Sequence, residues 1–277
     1  LLPHKEAEQT LELIDWQKLW EIKLKLACRD NLNTVSFWDK RAKKFNENMN
    51  AMQTLTKNQL ERIQLQSECT VLDVGAGAGR LAIPVAKRVK HVTAVEPSKV
   101  MFDFLKSNIK KANVQNLTAV NLSCEELILG ENIEPHDVVF ASHSLFMVNI
   151  ADVLQQMNGL AKRSVYLFLS ASHWVDDELQ RIVNNRVDPI KSGDYIYIYN
   201  ILHDLGIFAN VEILDYVSTC SCESLDDAVA KFGDNYDLGS NKKSELKSYL
   251  NKHLIEEDEK LLLKQDRKVA MIWWTKK

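Results

Sequence analysis

The apolar positions of the chain change period near residue 70. Before it, Leu11, Ile14, Leu19, Ile22 and Leu26 recur near helical spacing, and a second pattern of the same kind runs from Phe37 through Phe45, which predicts helices. Thr56 is placed to N-cap a third helix carrying Leu60, Ile63 and Leu65 until Ser67-Glu68-Cys69 breaks it. From residue 70, short β-branched runs alternate with longer amphipathic ones. Strands are expected over Thr70–Val74, His91–Glu96, Leu117–Asn121, Asp137–Ala141 and Val165–Ser170, with helices over Gly79–Arg88, Ser98–Lys111, Ser123–Leu129 and Ile150–Ala161 between them. That order implies a parallel sheet with helices on both faces.

Beyond residue 170 the pattern predicts helices over Trp174–Arg186 and Asp194–Gly206, a strand over Asn210–Ser218, helices over Ser224–Phe232 and Ser244–Leu263, and a last strand over Val269–Thr275. Tyr195-Ile196-Tyr197-Ile198-Tyr199 alternates like a strand between helical neighbours, and periodicity leaves its structure open. Neither an internal repeat nor a low-complexity linker divides the 277 residues, of which 45% are apolar, so one large core with helical additions is expected.

Charge and cysteine usage narrow the classes. A formal net charge of −3 gives no general reason to hold a polyanion, so nucleic acid is disfavoured as a partner. No run approaches the roughly 20 apolar residues of a spanning helix, and the start Leu1-Leu2-Pro3-His4 turns charged at once. A cytoplasmic protein without a membrane partner is expected. The five cysteines, Cys28, Cys69, Cys124, Cys220 and Cys222, are not spaced as a disulfide framework and read as reduced thiols. Cys220-Ser221-Cys222 lacks a second pair at zinc spacing, so no metal is expected.

The chemistry concentrates in Val71-Leu72-Asp73-Val74-Gly75-Ala76-Gly77-Ala78-Gly79-Arg80-Leu81, a buried-strand pattern running through a glycine turn into a helix. Such a turn brings backbone N–H groups close to a polar or anionic ligand. Arg80 stands where the dinucleotide fingerprint needs its third glycine, and the P-loop ending is absent, so NAD and nucleoside triphosphates lose ground. Glu96 closes the next strand about twenty positions on, where a carboxylate can accept both hydroxyls of a ribose. Asp73, inside an apolar strand, must be paired or hydrogen-bonded, for instance by the glycine-loop amides.

Val71–Leu81 resembles motif I of class I S-adenosylmethionine-dependent methyltransferases, and Val95-Glu96-Pro97-Ser98 with Met101 resembles their second motif. The resemblance is to the small-molecule type with type 11/12 methyltransferase domains. It extends through Asn121–Leu127, similar to the loop that frames adenine, and Asp137–His143, similar to the fourth strand. It implies a three-layer α/β/α sandwich whose mostly parallel, seven-stranded sheet has an antiparallel last strand. Residues 1–66 would be an N-terminal helical extension or lid, and 67–277 the methyltransferase domain, with helical additions near 171–206 and 223–264. S-adenosylmethionine is the implied cofactor and S-adenosylhomocysteine its product. Asp73, Gly75, Ala76, Gly77, Glu96, Pro97, Met101, Cys124, Glu125 and Ser142 are its implied contacts. Among these, Gly75, Ala76 and Gly77 would face the methionine part, Glu96 the ribose, Pro97 and Met101 the adenine face, and Cys124 and Glu125 its edge. Where the family usually has an acidic residue, this chain has Ser123.

Methyl transfer from a sulfonium is an in-line displacement, so alignment, exclusion of water and, where needed, removal of a proton are the protein's tasks. The segments after the fourth and fifth strands are the places for a base, which makes His143 and His173 the catalytic candidates. Either can equally be satisfied by loop backbone, and His203 reads as structural. Acceptor choice falls to the additions, with Trp16, Trp20, Phe37, Trp38 and Arg41 in the N-terminal helices and the later tyrosine run; the same aromatics also fit an ordinary core. No Asn-Pro-Pro-Tyr-like segment or Pro-Cys nucleophile follows the fourth strand. A small-molecule acceptor is therefore expected. A methyltransferase acting on RNA or protein, a non-catalytic binder of the donor or its product, and a Rossmann oxidoreductase are the alternatives.

Overall fold

The computed structural model describes residues 14–27, 35–171, 176–184, 193–236, 238–258 and 260–276. His173, Trp174 and Cys28 lie outside them. Five parallel strands make the centre of one sheet: β1 (Thr70–Val74), β2 (His91–Val95), β3 (Leu117–Val120), β4 (His136–Ser142) and β5 (Ala161–Ser170). The C-terminal part adds β6 (Asn210–Cys222), β7 (Leu254–Glu257) and β8 (Lys260–Thr275). The order is β3-β2-β1-β4-β5-β8-β6, with β8 antiparallel to β5, β6 antiparallel to β8, and β7 paired with β8 off this path. The sheet is thus the expected seven strands with an antiparallel last one, plus a short eighth.

Helices flank it: α1 (Trp16–Ala27), α2 (Val35–Glu47), α3 (Gln53–Arg62), α4 (Ala82–Ala86), α5 (Lys99–Lys111), α6 (Ile150–Leu160), α7 (Asp177–Asn184), α8 (Asp194–Asp204), α9 (Leu225–Tyr236) and α10 (Ser240–His253). Alternation along the strands divides the core between the two faces. Leu72, Val74, Val139 and Ala141 pack with α1, α6 and α8, whereas Val71, Val138 and Phe140 pack with α3, α4 and Leu105 of α5. The same alternation aims Asp73 and Ser142 at the α3/α4 face. A third, smaller cluster joins Leu179 and Ile182 of α7, Phe232 of α9, Leu246 and Leu250 of α10, Cys222 and Leu263.

Several expected elements are corrected. Thr56 does not cap a helix: a 3₁₀ turn over Asn48–Met52 feeds directly into α3, and Thr56 Oγ1 donates to Met52 O at 2.8 Å inside it. The expected helix Ser123–Leu129 is a single 3₁₀ turn, Cys124–Glu126. Its capping box closes on itself, and Asn132 satisfies the chain on both sides, accepting from Ile128 N at 2.8 Å and donating to Glu126 O at 2.9 Å. The helix expected over Ser244–Leu263 stops at His253 and gives way to the β7–β8 hairpin. The tyrosine run is helical, within α8. Among the described residues no helix is long and apolar enough to cross a membrane, and no three His, Cys, Asp or Glu gather as metal ligands.

Candidate functional site

Beyond β1 the chain turns with φ of +75°, +57° and +92° at Gly75, Gly77 and Gly79, a left-handed backbone that side chains disfavour. A Cβ on Gly75 would meet Ser144 Cβ at 2.3 Å, so the loop rests directly on the segment after β4. Gly75 and Ala76 each donate their N–H to Val95 O at 2.9 Å, tying the loop to the end of β2. The N–H of Gly77 donates to Glu96 Oε2 at 2.7 Å, and Ser98 N donates to Glu96 Oε1 at 2.8 Å. Each Glu96 oxygen thus takes one amide. Since a carboxylate offers about four acceptor positions, two remain for ligand hydroxyls. Burial raises the Glu96 pKa, while the two amides oppose that rise and Asp39 adds to it.

A cavity of about 340 Å³ opens beside this loop, lined by Gly75, Ala76, Gly77, Glu96, Pro97 and Met101 and also by Asp73, Arg80, Ser142, His143 and Ser144. Asp73 does not take the loop amides expected for it. Its carboxyl accepts from the Ala82 backbone at the start of α4, and burial pushes its pKa up to about 8 against the pull of Arg80. Arg80, which the sequence marked only as a break in the dinucleotide fingerprint, donates from Nη1 to Thr56 Oγ1 and from Nη2 to Ser142 Oγ, both at 2.9 Å. Ser142 Oγ also accepts from Gln59 Nε2 at 3.1 Å.

His143 reaches the cavity with a left-handed φ of +54°, its N–H held by Phe168 O at 2.9 Å. Burial, reinforced by Arg80, pulls its pKa down to about 3. At neutral pH it is a neutral imidazole with little affinity for a proton, a poor fit to the expected role of base. Met101 and Pro97 line the cavity, whereas Cys124 and Glu125 do not. Cys124 packs in the α6-side core, 4% exposed, with its thiol pushed up to about 12 by burial, and Glu125 is exposed. Asn121 was not singled out, yet its Nδ2 donates to Glu96 O at 2.8 Å and Pro97 O at 3.2 Å, fixing the strand end that carries the carboxylate.

The N-terminal helices close the cavity from above the glycines. Trp38 and Phe45 of α2, Met52 and Leu55 line it, and Phe45 Cε1 lies 3.4 Å from where a Cβ on Gly77 would be. Asp39 Oδ1 accepts from Ser98 Oγ at 2.5 Å and Val100 N at 3.3 Å, and Asn108 Nδ2 donates to Asn46 Oδ1 at 2.7 Å, so α2 is fastened to α5. Phe37 meets Trp38 edge to face, and Arg41 lies over the Phe37 ring, its guanidinium 3.7 Å from the ring centre. Phe146, beyond β4, faces Trp38 at 6.4 Å between ring centres and also lines the cavity. Trp16 and Trp20 do not: they pack on Tyr197 of α8, and the buried Trp20 donates to Met147 O at 2.9 Å.

Residues 71–164 match the family model described as a methyltransferase domain. An uncharacterized protein of Haemophilus influenzae is 28% identical over 270 residues, 96% of this chain and 98% of that one. A protein of Methanosphaera stadtmanae assigned as a ribosomal RNA small subunit methyltransferase A is 38% identical over 61 residues, 22% of each chain. Among solved structures, a Bacillus halodurans protein assigned as a methyltransferase superposes with a TM-score of 0.55 at 15% identity, over 79% of this chain and 97% of that one. That last likeness is one of fold.

Proposed function

We propose, with residues 71–164 as a methyltransferase domain on a class I, Rossmann-like fold for premise, that this protein binds S-adenosylmethionine and methylates a small molecule. The observation that carries the reading is the pairing of a three-glycine turn with Glu96, whose two oxygens are aimed by the Gly77 and Ser98 amides and keep acceptor positions free. That arrangement fits the donor: Gly75, Ala76 and Gly77 leave room beside the loop for its methionine part, Glu96 receives the ribose hydroxyls, and Pro97 and Met101 give adenine an apolar wall. Asp73 and Ser142, donor contacts by resemblance, serve the acceptor end instead, Ser142 by holding Arg80. When bound, the donor supplies an activated methyl group on a sulfonium.

The chain's own part is alignment and exclusion of water. Residues 1–66 act as a lid through Trp38 and Phe45, over the 67–277 domain. His143, a neutral ring in the cavity wall, shapes the acceptor end. The small-molecule reading is supported by apolar Trp38, Phe45, Met52, Leu55, Leu81 and Phe146 around the cavity. Arg80 is the one fixed cation among the residues lining it, where a polynucleotide would need a row of them.

Incubation with methyl-tritiated donor tests this, using separate small-molecule, RNA and protein fractions of a cell extract. Label in the small-molecule fraction is expected. Label confined to RNA, as the Methanosphaera likeness would suggest, or to protein contradicts the acceptor class, and no label in any fraction contradicts catalysis.

A further inference from the structure

Arg80 is a partly buried cation whose two hydrogen-bond acceptors, Thr56 Oγ1 and Ser142 Oγ, are neutral hydroxyls. No ion pair among the described residues involves it. The carboxyl it influences, Asp73, forms no ion pair with it, and burial raises the Asp73 pKa against the pull of Arg80. A guanidinium offers five N–H donors and these two contacts use two, so the charge has donor capacity left over. Removing such a charge from water without an anion is costly.

The group is also held in place. Ser142 is gripped in turn by Gln59, and Thr56 is bonded to Met52 O, so the guanidinium is fixed by a network spanning α3 and the end of β4. Fixed planar donors are the arrangement that recognises carboxylates, and a solvated surface arginine lacks it. Asp73 feels both Arg80 and Glu96. Glu96 takes its bonds from Gly77 and Ser98, whereas Arg80 acts on His143 and stands with apolar Met52, Leu55 and Leu81.

We propose that Arg80 receives a carboxylate of the methyl acceptor, making the acceptor a compact apolar or aromatic carboxylate. This rests on the donor reading above, with ribose at Glu96 and the acceptor at the opposite end. The anion also offsets the second positive charge that a sulfonium brings into the same cavity. The donor's own carboxylate is a second source of the same chemistry, and the experiment separates the two.

Calorimetry is run on wild type, Arg80→Met and Arg80→Lys, first with S-adenosylhomocysteine and 5′-methylthioadenosine, which lacks the amino-acid part. The product-saturated proteins are then titrated with benzoate, cinnamate and octanoate, each beside its primary amide. In wild type, at least one acid is expected to bind about tenfold tighter than its amide, the order of one charged hydrogen-bonded pair. That preference is lost in Arg80→Met and reduced in Arg80→Lys, with both nucleosides binding all three proteins alike. Should Arg80→Met fail to fold, the lysine variant and Ser142→Ala, which frees the guanidinium, carry the comparison through a several-fold drop in preference. Amides binding as well as acids, no acid binding, or a preference that survives substitution overturns the proposal. Weakened S-adenosylhomocysteine binding with unchanged methylthioadenosine binding overturns it in favour of the donor's carboxylate. Failure of wild type to bind either nucleoside sinks the donor reading and this inference together.

Discussion

Two buried carboxyls, Asp73 and Glu96, sit at the carboxyl ends of neighbouring parallel strands and meet different surroundings. Glu96 is aimed by two amides, while Asp73 has one backbone donor, Ala82, and Arg80 as a charged neighbour. Because the folded pKa of Asp73, about 8, exceeds the unfolded value of about 3.9, the unfolded chain releases this proton first. This group therefore lowers stability progressively from about pH 4 to about pH 8 and changes nothing below that window. Asp73→Asn, which keeps an acceptor for Ala82, is expected to gain on wild type across it. Urea midpoints should coincide near pH 4 and differ most above pH 8; a constant gap would refute the assignment. Gly75→Ala puts a Cβ at 2.3 Å from Ser144 Cβ at φ +75°. A loss of about 3 kcal/mol is expected, a left-handed penalty of roughly 1–2 plus overpacking, against wild-type-like midpoints if the loop simply shifts. Glu96 was legible in sequence from its place one strand beyond the glycines. Arg80 was not, because its partners Thr56 and Ser142 lie 24 and 62 residues away and only the tertiary fold brings them to it.

At the scale of elements, α2 stands over the glycine loop on few fastenings. Asp39 holds the first turn of α5 through Ser98 and Val100, and Asn46 meets Asn108. Asp39→Ala should cost about 1 kcal/mol, the worth of a helix cap. It should also raise the dissociation rate of S-adenosylhomocysteine several-fold by loosening the lid, read by stopped-flow displacement. An unchanged rate with lowered stability would leave α2 a mere buttress. The β-α alternation up to β5 was readable because each strand is a short β-branched run and each helix, α4 apart, long enough to show its period. The turn at Cys124–Glu126 was not. Apolar Cys124, Leu127 and Ile128 mimic a helical face, while the capping box and Asn132 satisfy the backbone after one turn. The hairpin β7–β8 escaped for a related reason, since the continuous run Leu261-Leu262-Leu263 suits either period.

Across the whole molecule, two large cores share the parallel sheet and a small third one joins α7, α9, α10 and the outer ends of β6 and β8. Fewer buried side chains secure that third cluster, so its amides should exchange hydrogen well before those of β1, β4 and β5. Uniform protection would show one cooperative unit instead. The mostly parallel seven-stranded sheet with its antiparallel strand was readable from the β-α rhythm and the family's motifs together, but the way the additions close the cavity depends on contacts such as Phe45 with Gly77 that no local pattern records. The central claim is that Glu96 and the glycine turn hold S-adenosylmethionine, and calorimetric titration with S-adenosylhomocysteine tests it most directly, beside Glu96→Ala and with NAD as control. Two hydroxyl bonds to a carboxylate at roughly 1.5 kcal/mol each amount to about 3 kcal/mol, so the account predicts micromolar binding by wild type and about a hundredfold loss in the variant. Folded wild type that ignores S-adenosylhomocysteine, or that prefers NAD, would contradict it.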